Sequence, residues 1–121
     1  MIKKLLESEG AIIGIEVSGI IDSEEENLWI EIFDKLIEDH GRINILVLLN
    51  GKINYGSGAV YDDLKWTLKN MQYINKLAIV SESNILAWLF AADSPFAKIV
   101  GIGEKHFETS QLQDAWRWVK H

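Results

Sequence analysis

Apolar residues alternate with polar or small residues over residues 13–17 of the chain. A period of two residues is typical of a β-strand that buries one face. An earlier apolar segment near the start is separated from this strand by a turn at residues 8–10, so the pattern predicts a β-hairpin. The apolar positions of the second strand are Ile13, Ile15 and Val17.

In residues 22–41, "DSEEENLWIEIFDKLIEDHG", the apolar residues recur with the period of an α-helix, and the segment predicts the first helix. Ser23 and Glu26 have the spacing of a capping box, and Gly41 is a candidate C-terminal cap. Most carboxylates of this segment lie off the apolar stripe, which indicates a solvated face rather than a metal site. The stripe consists of Trp29, Ile32, Phe33, Leu36 and Ile37.

Residues 43–50, "INILVLLN", are almost continuously apolar and predict a strand buried on both faces. A Gly-Ser-Gly turn at residues 56–58 follows, and then an amphipathic helix. "KLAIVS", residues 76–81, predicts a fourth strand. The apolar stripe of the predicted helix comprises Val60, Leu64, Thr67 or Leu68, and Met71.

The last third of the chain predicts a helix, a strand and a closing helix. Residues 82–93, "ESNILAWLFAAD", form a helix that is apolar almost all round, with Ser81 or Ser83 as its cap. "AKIVGI", residues 97–102, predicts the fifth strand. In the closing helix, residues 109–121, Ser110 and Gln113 have capping-box spacing. Its apolar stripe is Leu112, Ala115, Trp116 and Val119, and Trp118 lies off that stripe.

The predicted order is β-β-α-β-α-β-α-β-α. A hairpin followed by alternating strands and helices predicts one α/β domain over residues 1–121. Its sheet is mainly parallel with an antiparallel first strand, and it carries four helices.

Composition narrows the classes of function. The 121 residues include no cysteine, which excludes disulfides, thiolate nucleophiles and cysteine metal sites. A net charge of −6 opposes binding to nucleic acid and to anionic membranes. The N-terminus does not have the pattern of a signal peptide, and no apolar run approaches the roughly 18 residues of a transmembrane helix. We therefore expect a cytoplasmic protein.

The sequence contains no recognisable catalytic constellation. His40, His106 and His121, at a helix end, in a loop and at the C-terminus, lack partners at metal-ligand spacing. "GIGEKH" and "NGKINYGSG" do not match dinucleotide, P-loop or nucleophile-elbow patterns. We expect no metal, no cofactor and no enzymatic activity.

Four strings resemble the SpoIIAA-like family of small STAS-related proteins. They are "ESEGAIIGIEVSGII", "IEDHGRINILVLLN", "AVYDDLKW" and "LQDAWRWV". The resemblance covers nearly the whole chain and implies the fold of anti-sigma-factor antagonists.

The resemblance implies that Ser57 is a candidate regulatory residue. In phosphorylatable STAS domains a partner kinase modifies a serine at the start of the second helix, usually within Asp-Ser-Ser/Thr-Gly. Ser57 before Gly58 is the nearest match, but Tyr55 and Gly56 precede it and the Asp is missing. Ser57 is therefore either a regulatory phosphoacceptor or an N-cap in a turn that Gly56 and Gly58 permit.

Three functions remain open. The first is a non-catalytic interaction module that contacts a protein partner or a second copy through residues 50–66 and part of the 82–93 helix. The second is a carrier or sensor of a small apolar ligand, since the family resembles lipid-carrying CRAL-TRIO folds. The third is an enzyme with Ser57 or Asp62 at its site. The candidate interaction or ligand surface comprises Tyr55, Gly56, Gly58, Tyr61, Trp66, Trp88 and Phe90.

Overall fold

The computed structural model of the protein describes residues 1–55, 69–82 and 103–121. Within these ranges the chain forms five strands and two α-helices. The strands are β1 (Ile2–Lys4), β2 (Ile12–Ile21), β3 (Ile43–Tyr55), β4 (Ile74–Val80) and β5 (Gly103–Phe107). The helices are α1 (Ser23–His40) and α2 (Leu112–Lys120), and short 3-10 turns at Met71–Tyr73 and Thr109–Gln111 precede β4 and α2.

The five strands form one sheet in the order β1-β2-β3-β4-β5. β1 pairs with β2 antiparallel, and the other three pairings are parallel. This mixed sheet confirms the predicted α/β class and the antiparallel first strand. Two of the four predicted helices, in the segments after β3 and after β4, lie outside the described residues.

α1 and α2 cover opposite faces of the sheet, because alternate strand residues pack against different helices. On one face Ile13, Ile15 and Val17 pack with Trp29 and Phe33 of α1. On the other face Leu46, Ala78, Val80 and Phe107 pack with α2 through Ala115, Trp116 and Val119. The sheet is therefore the middle layer of the described structure.

The C-terminal end of α2 is fixed to the sheet by two side chains. The Asn44 amide donates to the Val119 carbonyl oxygen at 2.6 Å, and the Lys76 ammonium donates to the Trp118 carbonyl oxygen at 3.0 Å. The carbonyls of a helix's last turn have no partners within the helix. Asn44 and Lys76 supply those partners, and the positive charge of Lys76 suits the negative end of the helix dipole.

Both predicted helix starts need correction. The N-cap of α1 is Asp22, whose carboxylate accepts from the Glu25 backbone N–H at 2.8 Å, so the predicted Ser23 cap is wrong. The predicted pair of Ser110 and Gln113 is also wrong. Instead the Gln111 side-chain oxygen accepts from the Glu108 N–H at 3.0 Å, because a 3-10 turn precedes α2.

The predicted cap of α1 at Gly41 is confirmed. Gly41 has a φ of 83° and its N–H donates to the Ile37 carbonyl oxygen. The apolar stripe of α1 is confirmed at Trp29 and Phe33, which are buried, whereas Ile32 lies on the exposed side.

The position of the fifth strand also differs from the prediction. The predicted strand at residues 97–102 lies outside the described residues, and β5 begins at Gly103. His106, predicted in a loop, is a strand residue that is the Cα partner of Ile79. Glu104 and Lys105 precede it in β5, which is the last strand in the order, and such strands tolerate charge.

Candidate functional site

Two strands extend past their neighbours at the carboxyl end of the sheet. The pairing of β3 with β4 ends at Leu48 and Val80, whereas β2 and β3 stay paired up to Ile21 and Tyr55. Five residues of β2 lie beyond this level, which at about 3.3 Å per residue is on the order of 16 Å. We call residues 17–21 and 49–55 the β2–β3 ribbon.

The ribbon contains an irregularity in its pairing. Ser18 pairs with Asn50, but the next residue, Gly19, pairs with Ile53, so β3 has two extra residues at this point. Gly19 has a φ of 68°, a conformation that residues with a Cβ rarely adopt. Bulges of this kind bend a strand pair and occur often beside functional sites.

The end of β2 has one exposed and one buried isoleucine. Ile20 is 71% exposed, while Ile21 is fully buried in the core beneath α1. Asp22 follows immediately and caps α1, so the helix starts where the ribbon ends. The ribbon is thus anchored on one side and presents an apolar side chain on the other.

β1 is tied to the same end of α1. The Glu25 carboxylate accepts a hydrogen bond from the Ile2 backbone N–H at 2.8 Å. Because Glu25 lies in the first turn of α1, this bond holds β1 beside the N-terminus of the helix, where carboxylates are favourable. The acidic first turn of α1 is the only signal of this contact in the sequence, and it does not identify Ile2 as the partner.

Of the predicted site residues, the structure describes only Tyr55. It ends β3 opposite Ile21. The grouping of the site therefore stays a prediction. The other predicted site residues lie outside the described ranges: Gly56, Ser57, Gly58, Tyr61, Trp66, Trp88 and Phe90.

The ends of β4 and β5 are joined to one another by a backbone bond. The Ser81 N–H donates to the Phe107 carbonyl oxygen at 3.0 Å, and the Ser81 hydroxyl donates to the Glu82 carbonyl oxygen at 3.2 Å. Ser81 is fully buried. At the carboxyl end of the sheet, β4 and β5 therefore end near Ser81, and the β2–β3 ribbon ends about five residues farther along.

Trp118, which lies off the predicted stripe of its helix, has partners within the protein. Its ring centroid lies 6.1 Å from that of Phe107, and the Lys76 ammonium lies 5.2 Å from the ring centroid. Such a cation–π contact is favourable. Its position is thus explained by packing within the fold.

The described ranges hold no group of three or more His, Asp or Glu residues with metal-site geometry. His40, His106 and His121 are all exposed. Within the same ranges, neither helix is long and apolar enough to cross a membrane.

These features define a small α/β domain with a mixed sheet and a projecting ribbon. A family model described as SpoIIAA-like matches residues 12–120, and the chain therefore belongs to the SpoIIAA-like family. No curated protein matches the chain.

A solved structure has a similar fold. It is the crystal structure of an uncharacterised protein of the DUF3478 family with a SpoIIAA-like fold, from Shewanella loihica PV-4. The two chains share 18% sequence identity, and the TM-score is 0.72 over 98% of this chain and 93% of the other. At this identity the similarity establishes the fold.

Proposed function

We propose that this protein is a non-catalytic, STAS-like regulatory module that binds a partner protein through the end of the β2–β3 ribbon. The contact surface consists of Ile20, Tyr55 and the Gly-Ser-Gly turn at residues 56–58. The observation that carries the proposal is the projection of the ribbon beyond the ends of β4 and β5.

The ribbon is suited to binding because β3 is not paired with β4 beyond Leu48. Among the described residues, no strand pairs with this part of β3 on the β4 side, and strand backbone of that kind offers N–H and C=O groups to another chain. The exposed Ile20 side chain adds apolar area at the same place.

Ser57 is the proposed regulatory residue of this surface. A phosphate would add a charge of about −1.5 to −2. The ribbon's end already carries Asp22, which is exposed and directly follows β2. Phosphorylation would therefore increase the repulsion of an acidic partner and strengthen the attraction of a basic one.

The experiment compares the proteins retained from a cell extract by four immobilised variants. The wild type and Leu6→Ser should retain the same partner, and Ile20→Ser should lose it. Ser57→Glu should change the amount retained, lowering it for an acidic partner and raising it for a basic one. Leu6 is the matched control because it is fully exposed in the turn that precedes β2, at the opposite end of that strand. Equal retention by all four variants would show that the ribbon's end is not the contact surface.

A carrier or sensor of a small apolar ligand is the second candidate. It is favoured by Val47, Leu77 and Ile79, half-buried apolar residues at the edge of the core beneath α1. Native and denaturing mass spectra of the purified protein separate the two functions. Mass that is lost on denaturation supports the carrier, and stable added mass at Ser57 supports the phosphorylated module.

A further inference from the structure

The net charge of the protein is concentrated on α1. This helix holds seven carboxylates and one lysine, which gives −6, and the whole chain with 18 acidic and 12 basic residues also carries −6. Without α1, eleven acidic residues balance eleven basic ones. The protein therefore combines a neutral body with one strongly acidic helix.

The exposed side of this acidic helix also carries apolar residues. Leu28 is 57% exposed and Ile32 is 36% exposed, and their spacing of four places them on one face. Trp29 and Phe33, one position farther along, face the core. Leu28 and Ile32 therefore lie on the outside of α1, and we call this side the outer face.

Acidic side chains flank the two apolar residues. Glu24 lies four residues before Leu28, Glu31 lies three residues after it, and both are exposed. Toward the C-terminus, Lys35 pairs with Asp39 at 3.9 Å, so the one lysine of the helix is engaged within the outer face. Glu24 and Glu31 therefore place negative charge on both sides of Leu28 along the helix.

We propose that the outer face of α1 is a docking surface for a cationic amphipathic helix of a partner protein. The occupant follows from charge complementarity. Two copies of a helix that carries −6 repel one another. The same helix also repels nucleic acids and anionic membranes. A helix with Leu or Ile at a spacing of three or four, flanked by Lys or Arg, complements both the apolar pair and the carboxylates.

This surface differs from the ribbon's end and does not depend on the proposed function. The variants Ile20→Ser and Ser57→Glu should leave binding at the outer face unchanged. Changes at Leu28 and Ile32 should leave retention by the ribbon unchanged. Each proposal can therefore fail without the other.

The probe is a 15-residue peptide of leucine and lysine, with the leucines at helical spacing and both ends blocked. Its control has the same composition in an order that gives no apolar face. Titration followed by ¹⁵N–¹H NMR should move the amide signals of residues 28, 31, 32 and 35. The helical-spacing peptide should bind at least about tenfold more tightly than its control, a difference of about 1.4 kcal/mol.

Two double variants separate apolar contact from charge. Leu28→Ser with Ile32→Ser should weaken binding about tenfold, whereas Leu6→Ser, at an exposed site elsewhere, should not change it. Glu24→Gln with Glu31→Gln should also weaken binding. Its matched control, Glu7→Gln with Glu9→Gln, removes the same charge from exposed positions before β2 and should have a smaller effect.

Three results would overturn the proposal. One is the absence of binding by the peptide. Another is equal weakening by the two glutamine double variants, since this would indicate only long-range attraction. The third is a dimer of the wild type that becomes a monomer on Leu28→Ser with Ile32→Ser, since the occupant would then be a second copy.

Discussion

The indole ring of Trp116 lies directly against the backbone of Gly14. A Cβ atom on residue 14 would be 2.6 Å from Cζ2 of Trp116 and 3.3 Å from Cδ1 of Leu5. Separations below 3.0 Å require the neighbouring atoms to move, and the indole is rigid and 3% exposed. Gly14 therefore creates the space on β2 that the indole of Trp116 occupies.

We expect Gly14→Ala to lower the free energy of unfolding by about 1–3 kcal/mol, the range of overpacked cores. Urea denaturation measures this change. The double variant with Trp116→Leu should show a smaller effect of the alanine, because the clashing ring is gone. If Gly14→Ala is as stable as the wild type, the ring does not occupy this space.

The side chain of Lys76 should stabilise the protein more than an ordinary surface lysine. It donates to the Trp118 carbonyl oxygen and lies over the Trp118 ring. We expect Lys76→Met to cost about 1–2 kcal/mol of unfolding free energy. Lys105→Met is the control, because the Lys105 ammonium lies over the Phe107 ring at 5.3 Å and the residue is exposed. Equal costs for the two variants would contradict a capping role for Lys76.

The start of α1 offers a direct comparison of two neighbouring residues. We expect Asp22→Ala to cost about 1 kcal/mol, since the Asp22 carboxylate accepts from the N–H of Glu25. Ser23→Ala should cost less, because Ser23 is the first residue inside the helix. Thermal unfolding followed by circular dichroism measures the stability of both variants. A larger loss of stability for Ser23→Ala would indicate that Ser23 is the N-cap, as the sequence predicts.

The bend in the ribbon can be tested at Gly19. No heavy atom lies within 4 Å of a Cβ built at this residue, so any cost of a side chain comes from its φ of 68°. We expect Gly19→Ala to destabilise the protein by about 1 kcal/mol and Gly19→Asn by less, since Asn tolerates this region. Denaturant midpoints of the two variants measure the difference. No difference between them would indicate that the backbone relaxes.

The order of the described strands and helices was predictable because hydrophobic period and turn residues are local properties. The long apolar run at residues 43–50 predicted a central strand, and β3 contains it. The continuation of β3 to Tyr55 was missed, since Gly51 and Lys52 interrupt the run where the pairing shifts its register. A bulge is a property of the pairing between two strands, so the sequence of one strand does not predict it.

The contacts at the ends of elements were less predictable. Ser23 and Asp22 are both good N-cap residues, and only the exact start of the helix chooses between them. The bonds of Asn44 and Lys76 to α2 join residues that are 75 and 42 positions apart in the chain. A local sequence pattern does not predict contacts at such separations. The predicted surface around Ser57 rests on the family resemblance and stays a prediction.

The position of α2 also has a consequence for folding in the cell. This helix is synthesised after the sheet that it covers, so Leu46, Ala78 and Val80 are made before the helix that buries them. Contacts between residues far apart in the chain form slowly, and exposed apolar strands promote aggregation in the meantime. A growing chain of this protein therefore passes through an interval in which these strand residues lack the cover that α2 gives them.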